Sequence, residues 1–273
     1  MANHLLVVEG AHDAAFFGRL LRSRGFSLIS NLLEVPEFWK ESIPRKYPVR
    51  PDLDLERVIS FPEIHVSGGG ADTFGVIVAN GDGGLLDALR SILDIKDAPD
   101  FASVSVVLDT DWSGSEEDRF KAFIELTKEW NVRGVDDGRP GFPLAFPTSP
   151  GEIEPGSPSV GMYLFPGGGA QGALENILLA CAEHHYPVLH EQARALLDVT
   201  HGAYPSGVKD DPFKRSRKTS GSAKARCGII ANALQPGSSL AVSIRTSPWL
   251  PVDEAALPEV RGAAKFLDEL ICK

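Results

Sequence analysis

Acidic residues at the ends of apolar segments are the first candidates for chemistry in this chain. Glu9 closes the first such segment, and Asp109 and Asp111 close a later one. Glu175 lies in the first turn of the helix that follows another. Asp109 and Asp111 stand at positions i and i+2 of an extended chain end, so both carboxylates can reach one hard cation. Mg²⁺ favours one or two carboxylates and keeps waters for the phosphates of a substrate. The residue types therefore predict a Mg²⁺ or Mn²⁺ site that works on phosphate.

The same residues allow other interpretations. Asp and Glu favour strand ends, turns and helix starts for their hydrogen bonding alone. A strand that ends in Asp-x-Asp also suits an aspartyl-phosphate phosphatase, in which Asp109 is the nucleophile and Asp111 is the acid. This phosphatase alternative gives Glu9 no role, and we rank it second.

The elements that must position these carboxylates alternate between strand and helix. Apolar runs predict strands at residues 5–8, 64–66, 74–79, 104–108 and 162–165. Amphipathic runs predict helices at residues 12–24, 85–93, 116–130 and 173–182. Alternation of this kind indicates an α/β fold, a mainly parallel Rossmann-like sheet flanked by helices. Ligands bind such a sheet beyond the carboxyl ends of its strands, which is where the acidic residues fall.

Changes in composition predict the domain organisation. Residues 1–182 form the predicted α/β domain, with an irregular, proline-rich insertion at about 31–62. Residues 131–159 are rich in Gly and Pro and predict a loop that contains a short strand at 144–146. Residues 183–273 form a predicted helical extension packed on the first domain. Its helices are expected at residues 190–199, 224–234 and 259–271.

Positive charge is concentrated in one segment of this acidic chain. The net charge is −10, yet residues 209–226 carry +5 and the remainder carries −15. The segment predicts a flexible clamp for nucleic acid, because an acidic cleft would otherwise repel phosphate. The plainer alternative is a solvated loop that balances an acidic surface. The predicted nucleic-acid-binding residues are Lys214, Arg215, Arg217, Lys218, Lys224 and Arg226.

Two motifs resemble the Toprim domain, the metal-dependent module of topoisomerases, primases, recombination proteins and OLD-family nucleases. Residues 7–13, VVEGAHD, are similar to its first motif, a hydrophobic strand followed by Glu-Gly and an Asp. Residues 106–111, VVLDTD, are similar to its DxD motif. The resemblance implies that Asp109 and Asp111 bind Mg²⁺. It implies that Glu9 is a general acid or base, or a metal ligand, with Asp13 in support.

Two later residues resemble elements of OLD-like nucleases and of small Toprim proteins. Glu175 resembles the acidic residue of a downstream Leu-Glu element and is a candidate for a further metal ligand. Lys224 resembles a basic residue near the scissile phosphate. One position departs from the family pattern, because many members continue as DxDxD and this chain has Ser113 at the fifth position.

The function implied by the resemblance is Mg²⁺-dependent hydrolysis of phosphodiester bonds in DNA or RNA. Glu9, Asp109, Asp111 and Lys224 are its expected catalytic residues. Ser113 leaves open a different class of function, a degenerate Toprim module that binds or regulates without catalysis.

Composition and missing motifs exclude several other classes. A chain of 273 residues with 43% hydrophobic residues can bury a sizeable core. Its longest apolar runs fall far short of the ~20 residues that cross a bilayer, so we expect no membrane span. Without a Gly-Lys-Ser/Thr phosphate loop, we expect no ATP site. Three cysteines without a CxxC pair, and no signal-like start, predict a cytoplasmic protein.

Overall fold

A computed structural model describes residues 1–43, 62–112, 114–136, 142–204, 206–207, 210–251, 253–254 and 257–272. Most of the predicted insertion at 31–62 lies outside these described residues, and so does Ser113. The part of the insertion that is described forms two short 3₁₀ helices, Leu32–Glu34 and Glu37–Ser42.

One mixed sheet organises the described residues and confirms the predicted α/β fold. Its strands are β1 (Ala2–Val8), β2 (Phe26–Leu28), β3 (Glu63–Ser67), β4 (Asp72–Val78), β5 (Ser103–Asp109), β6 (Ile153–Glu154) and β7 (Ser159–Phe165). They lie in the order β2-β3-β4-β1-β5-β7-β6. The central strands β4, β1, β5 and β7 are parallel, whereas β2, β3 and β6 pair antiparallel at the two sides. The carboxyl ends of the central strands therefore meet at one edge.

Helices cover both faces of this sheet. They are α1 (Ala11–Ser23), α2 (Leu85–Leu93), α3 (Glu116–Asp136), α4 (Leu174–His185), α5 (Pro187–Ala203), α6 (Thr219–Leu234), α7 (Leu240–Thr246) and α8 (Pro258–Ile271). The helices α1, α2, α3 and α4 each follow a central strand, as the predicted alternation requires. None of the described helices combines the length and the apolar composition needed to span a membrane.

The sequence of β5 explains why the centre of the sheet is buried on both faces. Its residues are SVSVVLD, and all but the last are buried. Successive side chains of a strand point to opposite faces. Val104 and Val106 accordingly pack in the cluster that contains α2 and α3, whereas Val107 packs in the cluster that contains α1 and α4. The core is thus two apolar layers with the sheet between them.

The C-terminal helices complete the layer on the α1 side. Phe266 of α8 is buried, and so is Trp249, which lies between α7 and α8. Both belong to the same apolar cluster as Leu6 and Val8 of β1. Phe266 approaches β7 at Gly161, where an added Cβ would lie 2.8 Å from Cζ of the ring. Glycine at 161 therefore allows α8 to pack directly against the sheet.

Several elements differ from those predicted. The strand predicted at 144–146 is wrong, because these residues pair with no strand in the described sheet, and Leu144 is instead buried as a side chain of the α3 layer. The sequence did not reveal β2, β6 or α7, which are only 3, 2 and 7 residues long. The helix α5 begins at Pro187 rather than at 190, since proline is favoured at the first helical position.

Gly161→Ala should destabilise the protein by about 1–3 kcal/mol, because the new methyl group overlaps the buried Phe266 ring. Urea unfolding measures this change. Gly228→Ala is the matched control: Gly228 lies in α6 with no atom within 4 Å of its added Cβ. That control should leave stability unchanged or raise it by up to about 1 kcal/mol, the helix preference for alanine. Equal stability of the two variants would contradict the packing of α8 on β7.

Candidate functional site

The carboxyl ends of β1, β5 and β7 bring three of the predicted site residues to one edge of the sheet. Glu9 follows the last residue of β1, and Asp109 is the last residue of β5. Because Val8 pairs in parallel with Val107, the two acidic residues leave neighbouring strands at nearly the same level. The loop after β7 leads to Glu175, the second residue of α4.

Backbone amides hold the carboxylates of Glu9 and Asp109. Oε2 of Glu9 accepts a hydrogen bond from the backbone N–H of Asp109 at 3.3 Å. Oδ1 of Asp109 accepts one from the backbone N–H of Leu174 at 3.1 Å. Leu174 is the first residue of α4, and the free N–H groups at a helix N-terminus carry partial positive charge. Both contacts favour the ionised form of the carboxyl group that accepts them.

Asp13 lies in the first turn of α1 and is buried. Its Oδ2 accepts a hydrogen bond from the backbone N–H of Gly10 at 2.7 Å. The charges of Glu9 and Glu175 act on Asp13, and the charge of Asp13 acts on Asp109. Four of the five predicted metal ligands therefore lie close enough to influence one another.

The fifth, Asp111, lies at the solvent-exposed rim of this cluster. Its N–H donates to the carbonyl oxygen of Gly172, and the N–H of Gly172 donates to the carbonyl oxygen of Asp111, both at 2.7 Å. Asp111 has a φ of 64°, in the left-handed region that Asp tolerates better than most residues. The bridge ties the loop after β5 to the loop before α4. Asp111 remains near enough to Glu9 for its charge to raise the pKa of that carboxyl group.

Burial raises the pKa of the carboxyl groups of Glu9, Asp13 and Asp109. Removal of water from the charged form is the largest cause in each case. For Asp109, the charges of Asp13, Glu9 and Glu175 raise the pKa further. Like charges crowded in a poorly hydrated place repel one another unless protons or cations neutralise them. The site therefore favours the uptake of positive charge.

The donor atoms of this cluster suit a hard cation, because all five predicted ligands offer carboxylate oxygen. Within the described residues, no three His, Cys, Asp or Glu side chains are arranged so that they could hold a metal ion as they stand. Mg²⁺ does not need three, since it is commonly held by one or two carboxylates together with water and substrate phosphate. Asp109 and Glu9, whose charge acts on Asp109, offer two such carboxylates.

Basic groups lie beside the carboxylates. Nδ1 of His12 is 4.0 Å from Oε1 of Glu175, whose side chain is only 5% exposed. Lys224 of α6 is exposed and close enough that its charge lowers the pKa of His12 and opposes the rise at Asp13. The structure thus brings the predicted Lys224 to the same site as the carboxylates.

The remaining residues of the basic segment differ in their surroundings. Lys214, Arg215 and Lys218 are exposed just before α6 or at its N-cap. Arg226, two residues beyond Lys224, contacts the imidazole of His190 and is partly buried.

Arg217 is engaged within the protein. Its Nε lies 3.1 Å from Oδ2 of Asp211. Its two terminal nitrogens donate to the carbonyl oxygens of His201 and Tyr204. Arg217 therefore holds the basic segment against the end of α5.

Sequence reasoning missed an ion pair on the β4 side of the site. Nη2 of Arg119 lies 3.0 Å from Oδ2 of Asp82, and Nε of Arg119 donates to the carbonyl oxygen of Asp109 at 3.2 Å. Arg119 lowers the pKa of Asp82 and opposes the rise at Glu9. Asp82 follows β4 and so belongs to another strand end, a signal that the sequence contained. Nothing in the sequence pairs it with Arg119.

Comparisons with known proteins show what the chain is similar to. The profile of a family described as "Protein of unknown function (DUF3226)" matches residues 3–269. The crystal structure of hypothetical protein PH0156 from Pyrococcus horikoshii OT3 is similar, with 17% sequence identity and a TM-score of 0.53. The alignment covers 99% of this chain and 95% of that chain, and it shows that the two share a fold. A search of curated proteins found no match.

The raised pKa values predict how stability depends on pH when no metal is present. The pKa of Asp13 rises from 3.8 to about 8 and that of Asp109 from 3.8 to about 9. Protons on these groups stabilise the folded state fully below the unfolded pKa, and this stabilisation is lost as pH rises through the folded values. In EDTA, the contribution of these two groups to the free energy of unfolding should fall between about pH 4 and about pH 9. The slope should reach about 1.4 kcal/mol per pH unit for each group that is protonated only in the folded state.

Asp109→Asn should flatten this pH dependence, because the amide keeps the shape of the side chain and does not ionise. Urea unfolding across the pH series measures the slope. Asp198→Asn, on the exposed side of α5, is the control and should keep the parent slope. If Asp109→Asn kept the slope of the parent, the pKa of the Asp109 carboxyl group would not be raised by its surroundings.

Proposed function

The chain belongs to the family described as "Protein of unknown function (DUF3226)", and we propose that it is a metal-dependent phosphodiesterase that hydrolyses nucleic acid. The proposal makes this chain a Toprim-like, OLD-like nuclease with Mg²⁺ or Mn²⁺ as cofactor. One observation carries it: Glu9, Asp13, Asp109 and Glu175 come from three segments of the chain and crowd together at the carboxyl edge of the parallel sheet.

Carboxylates crowded in this way repel one another and destabilise the folded state. A function that uses their negative charge explains why the fold keeps them together. Within the described residues the four acidic groups face fewer bases: Arg119 acts on Glu9, Lys224 acts on Asp13, and His12 lies beside Glu175. Oxygen ligands without thiolate or imidazole at the centre favour Mg²⁺ or Mn²⁺ over softer metals.

The roles of the residues follow from their places. Asp109 and Asp111 would hold the cation, with Asp111 at the solvent-exposed rim, where a phosphate can enter. When bound, the cation polarises the phosphoryl oxygen and offsets negative charge. Glu9 accepts the proton of the attacking water, a role that its raised pKa supports because a general base works best with a pKa near the operating pH.

Lys224 stabilises the charge that accumulates on the phosphate during hydrolysis. It is exposed, it acts electrostatically on Asp13, and its ammonium group can turn toward a bound phosphate. Its location on α6 connects the carboxylate cluster with the basic segment before that helix.

The position of Glu9 supports this proposal over the aspartyl-phosphate alternative. In the aspartyl-phosphate mechanism Asp109 attacks as a free carboxylate, and no glutamate takes part. Here Oε2 of Glu9 accepts a hydrogen bond from the backbone N–H of Asp109, which places a second carboxyl group beside that residue. The arrangement favours hydrolysis by an activated water.

We place this activity in the cytoplasm. The thiols of Cys181, Cys227 and Cys272 are all free, as a reducing compartment keeps them.

The purified protein should cleave DNA or RNA when Mg²⁺ or Mn²⁺ is added and should be inactive in EDTA. Asp109→Asn and Glu9→Gln should each lower the cleavage rate by about 100-fold or more. Asp109→Asn should also reduce the rise in melting temperature that the metal produces in the parent. A gel assay with labelled single- and double-stranded DNA and RNA, together with metal titration by thermal unfolding, measures both effects. Asp198→Asn is the control and should behave as the parent.

Two outcomes would separate the alternatives. A metal-dependent rise in melting temperature without cleavage of any of the four nucleic acids would favour the binding or regulatory module. An unchanged metal response in Asp109→Asn and Asp111→Asn would place the cation elsewhere and contradict the proposed site.

The basic segment should contribute to nucleic-acid affinity through its exposed members. Replacing Lys214, Arg215 and Lys218 with alanine should weaken binding across sequences. Each lost phosphate contact should reduce the slope of log affinity against log salt by about 0.7 to 0.9. Fluorescence anisotropy in Ca²⁺ at several salt concentrations measures this slope. A triple alanine variant of Lys121, Lys128 and Lys265 removes equal charge elsewhere and should keep the parent slope. Identical slopes in the two triple variants would contradict the clamp.

A further inference from the structure

A cavity lies between α1, the side of the sheet formed by β2 and β3, and α7. Its volume is about 310 Å³, the lower end of the range for small-molecule sites. None of the residues that line it belongs to the carboxylate cluster. Its lining instead combines three arginines, Arg19, Arg22 and Arg245, with apolar and aromatic groups.

The arginines give this cavity a net positive charge. Arg245 forms an ion pair with Glu63, which neutralises one of the three. Arg19 donates to the carbonyl oxygen of Arg245 at 3.3 Å, and within the described residues neither Arg19 nor Arg22 has a carboxylate at ion-pair distance. The nearby Glu254 is already bound by Arg24 and Ser23. Among the described residues, the guanidinium groups of Arg19 and Arg22 therefore have no ion-pair partner, although Glu254 lies near both.

His65 of β3 provides an uncharged polar group in the same cavity. It is only 3% exposed, and neither of its ring nitrogens has a hydrogen-bond partner among the described residues. Burial and the charge of Arg245 lower its pKa to about 4, so the ring is neutral at pH 7 and keeps one donor and one acceptor. Buried polar groups are normally hydrogen-bonded, and an unpartnered one indicates a missing ligand, water or ion.

A glycine leaves space beside the imidazole edge at the wall of the cavity. Gly18 lies in the middle of α1, where glycine costs about 1 kcal/mol relative to alanine. An added Cβ there would lie 3.2 Å from Cε1 and 3.5 Å from Nε2 of His65. A side chain at position 18 would therefore press on this edge of the ring.

We propose that this cavity binds a small phosphomonoester with an apolar or aromatic body. Two uncompensated guanidinium groups match the charge of about −1.5 to −2 that a phosphomonoester carries at pH 7. One guanidinium group can also bind two phosphate oxygens at once through two parallel hydrogen bonds. The ring of His65 supplies one more donor for the phosphate. Phe26 and Leu28 line the same cavity, and Leu28 is 44% exposed, so they offer an apolar wall to the body of the ligand.

The test uses phenyl phosphate as the probe and isothermal titration calorimetry of the full chain in EDTA. EDTA removes divalent cations, so no phosphate can be held through a metal at the carboxylate cluster. Phenyl phosphate should bind the parent, and phenol should not. Arg22→Gln and Arg19→Gln should each weaken binding about tenfold or more, the loss expected for a charged hydrogen bond. Arg22 is exposed, and its side chain has no hydrogen bond or ion pair among the described residues, so its variant should fold normally.

Two further variants test the two halves of the site. Leu28→Ala should weaken phenyl phosphate but leave the weaker binding of inorganic phosphate unchanged. Arg194→Gln removes one exposed charge on α5 and should leave both affinities unchanged.

The proposal is overturned if phenyl phosphate does not bind, if phenol binds equally well, or if Arg19→Gln and Arg22→Gln bind phenyl phosphate as the parent does. Equal affinity for inorganic and phenyl phosphate would overturn the assignment of an organic ligand. These outcomes leave the proposed nuclease untouched, because they concern residues outside the carboxylate cluster.

Discussion

Mutual repulsion among buried carboxylates is the condition that the architecture around the sheet edge has to satisfy. Asp13 and Asp109 are poorly hydrated, and their neighbours Glu9 and Glu175 carry the same charge. The chain offsets part of this cost with backbone N–H donors, one at the N-terminus of α1 and one at that of α4. Helix N-termini are suited to this because their amides lack partners within the helix. The partial positive charges at the N-termini of α1 and α4, which begin at the same edge, therefore offset part of the negative charge whether or not a cation is bound.

The apolar layers keep those helix starts in position. The helix α1 contributes Phe16 and Phe17 to the same cluster as Phe165 at the end of β7. Movement of α1 relative to the sheet would separate these rings, and with them Gly10 and Asp13 from the strand ends. The placement of the charged groups therefore depends on the packing of aromatic rings that lie a few residues away in the core.

Local patterns in the sequence were enough to predict the central strands, the helices that follow them and the acidic strand ends. Apolar runs such as 104–108 are determined by burial on both faces, which leaves a strong signal in the sequence. Contacts between distant segments leave no such signal. The pairing of Asp82 with Arg119 and the engagement of Arg217 with Asp211 depend on how loops meet in three dimensions. The helix α7 has seven residues, too few to show a period.

The packing of α8 on β7 has a consequence for synthesis on the ribosome. The α1 side of the sheet is covered in part by Phe266 and Leu267, which lie near the end of the described chain. While the ribosome is still adding residues before α8, the strands of the sheet have already emerged with this apolar surface uncovered. Such intermediates are prone to aggregation. The nascent chain is therefore expected to need chaperone protection until α8 has emerged and docked.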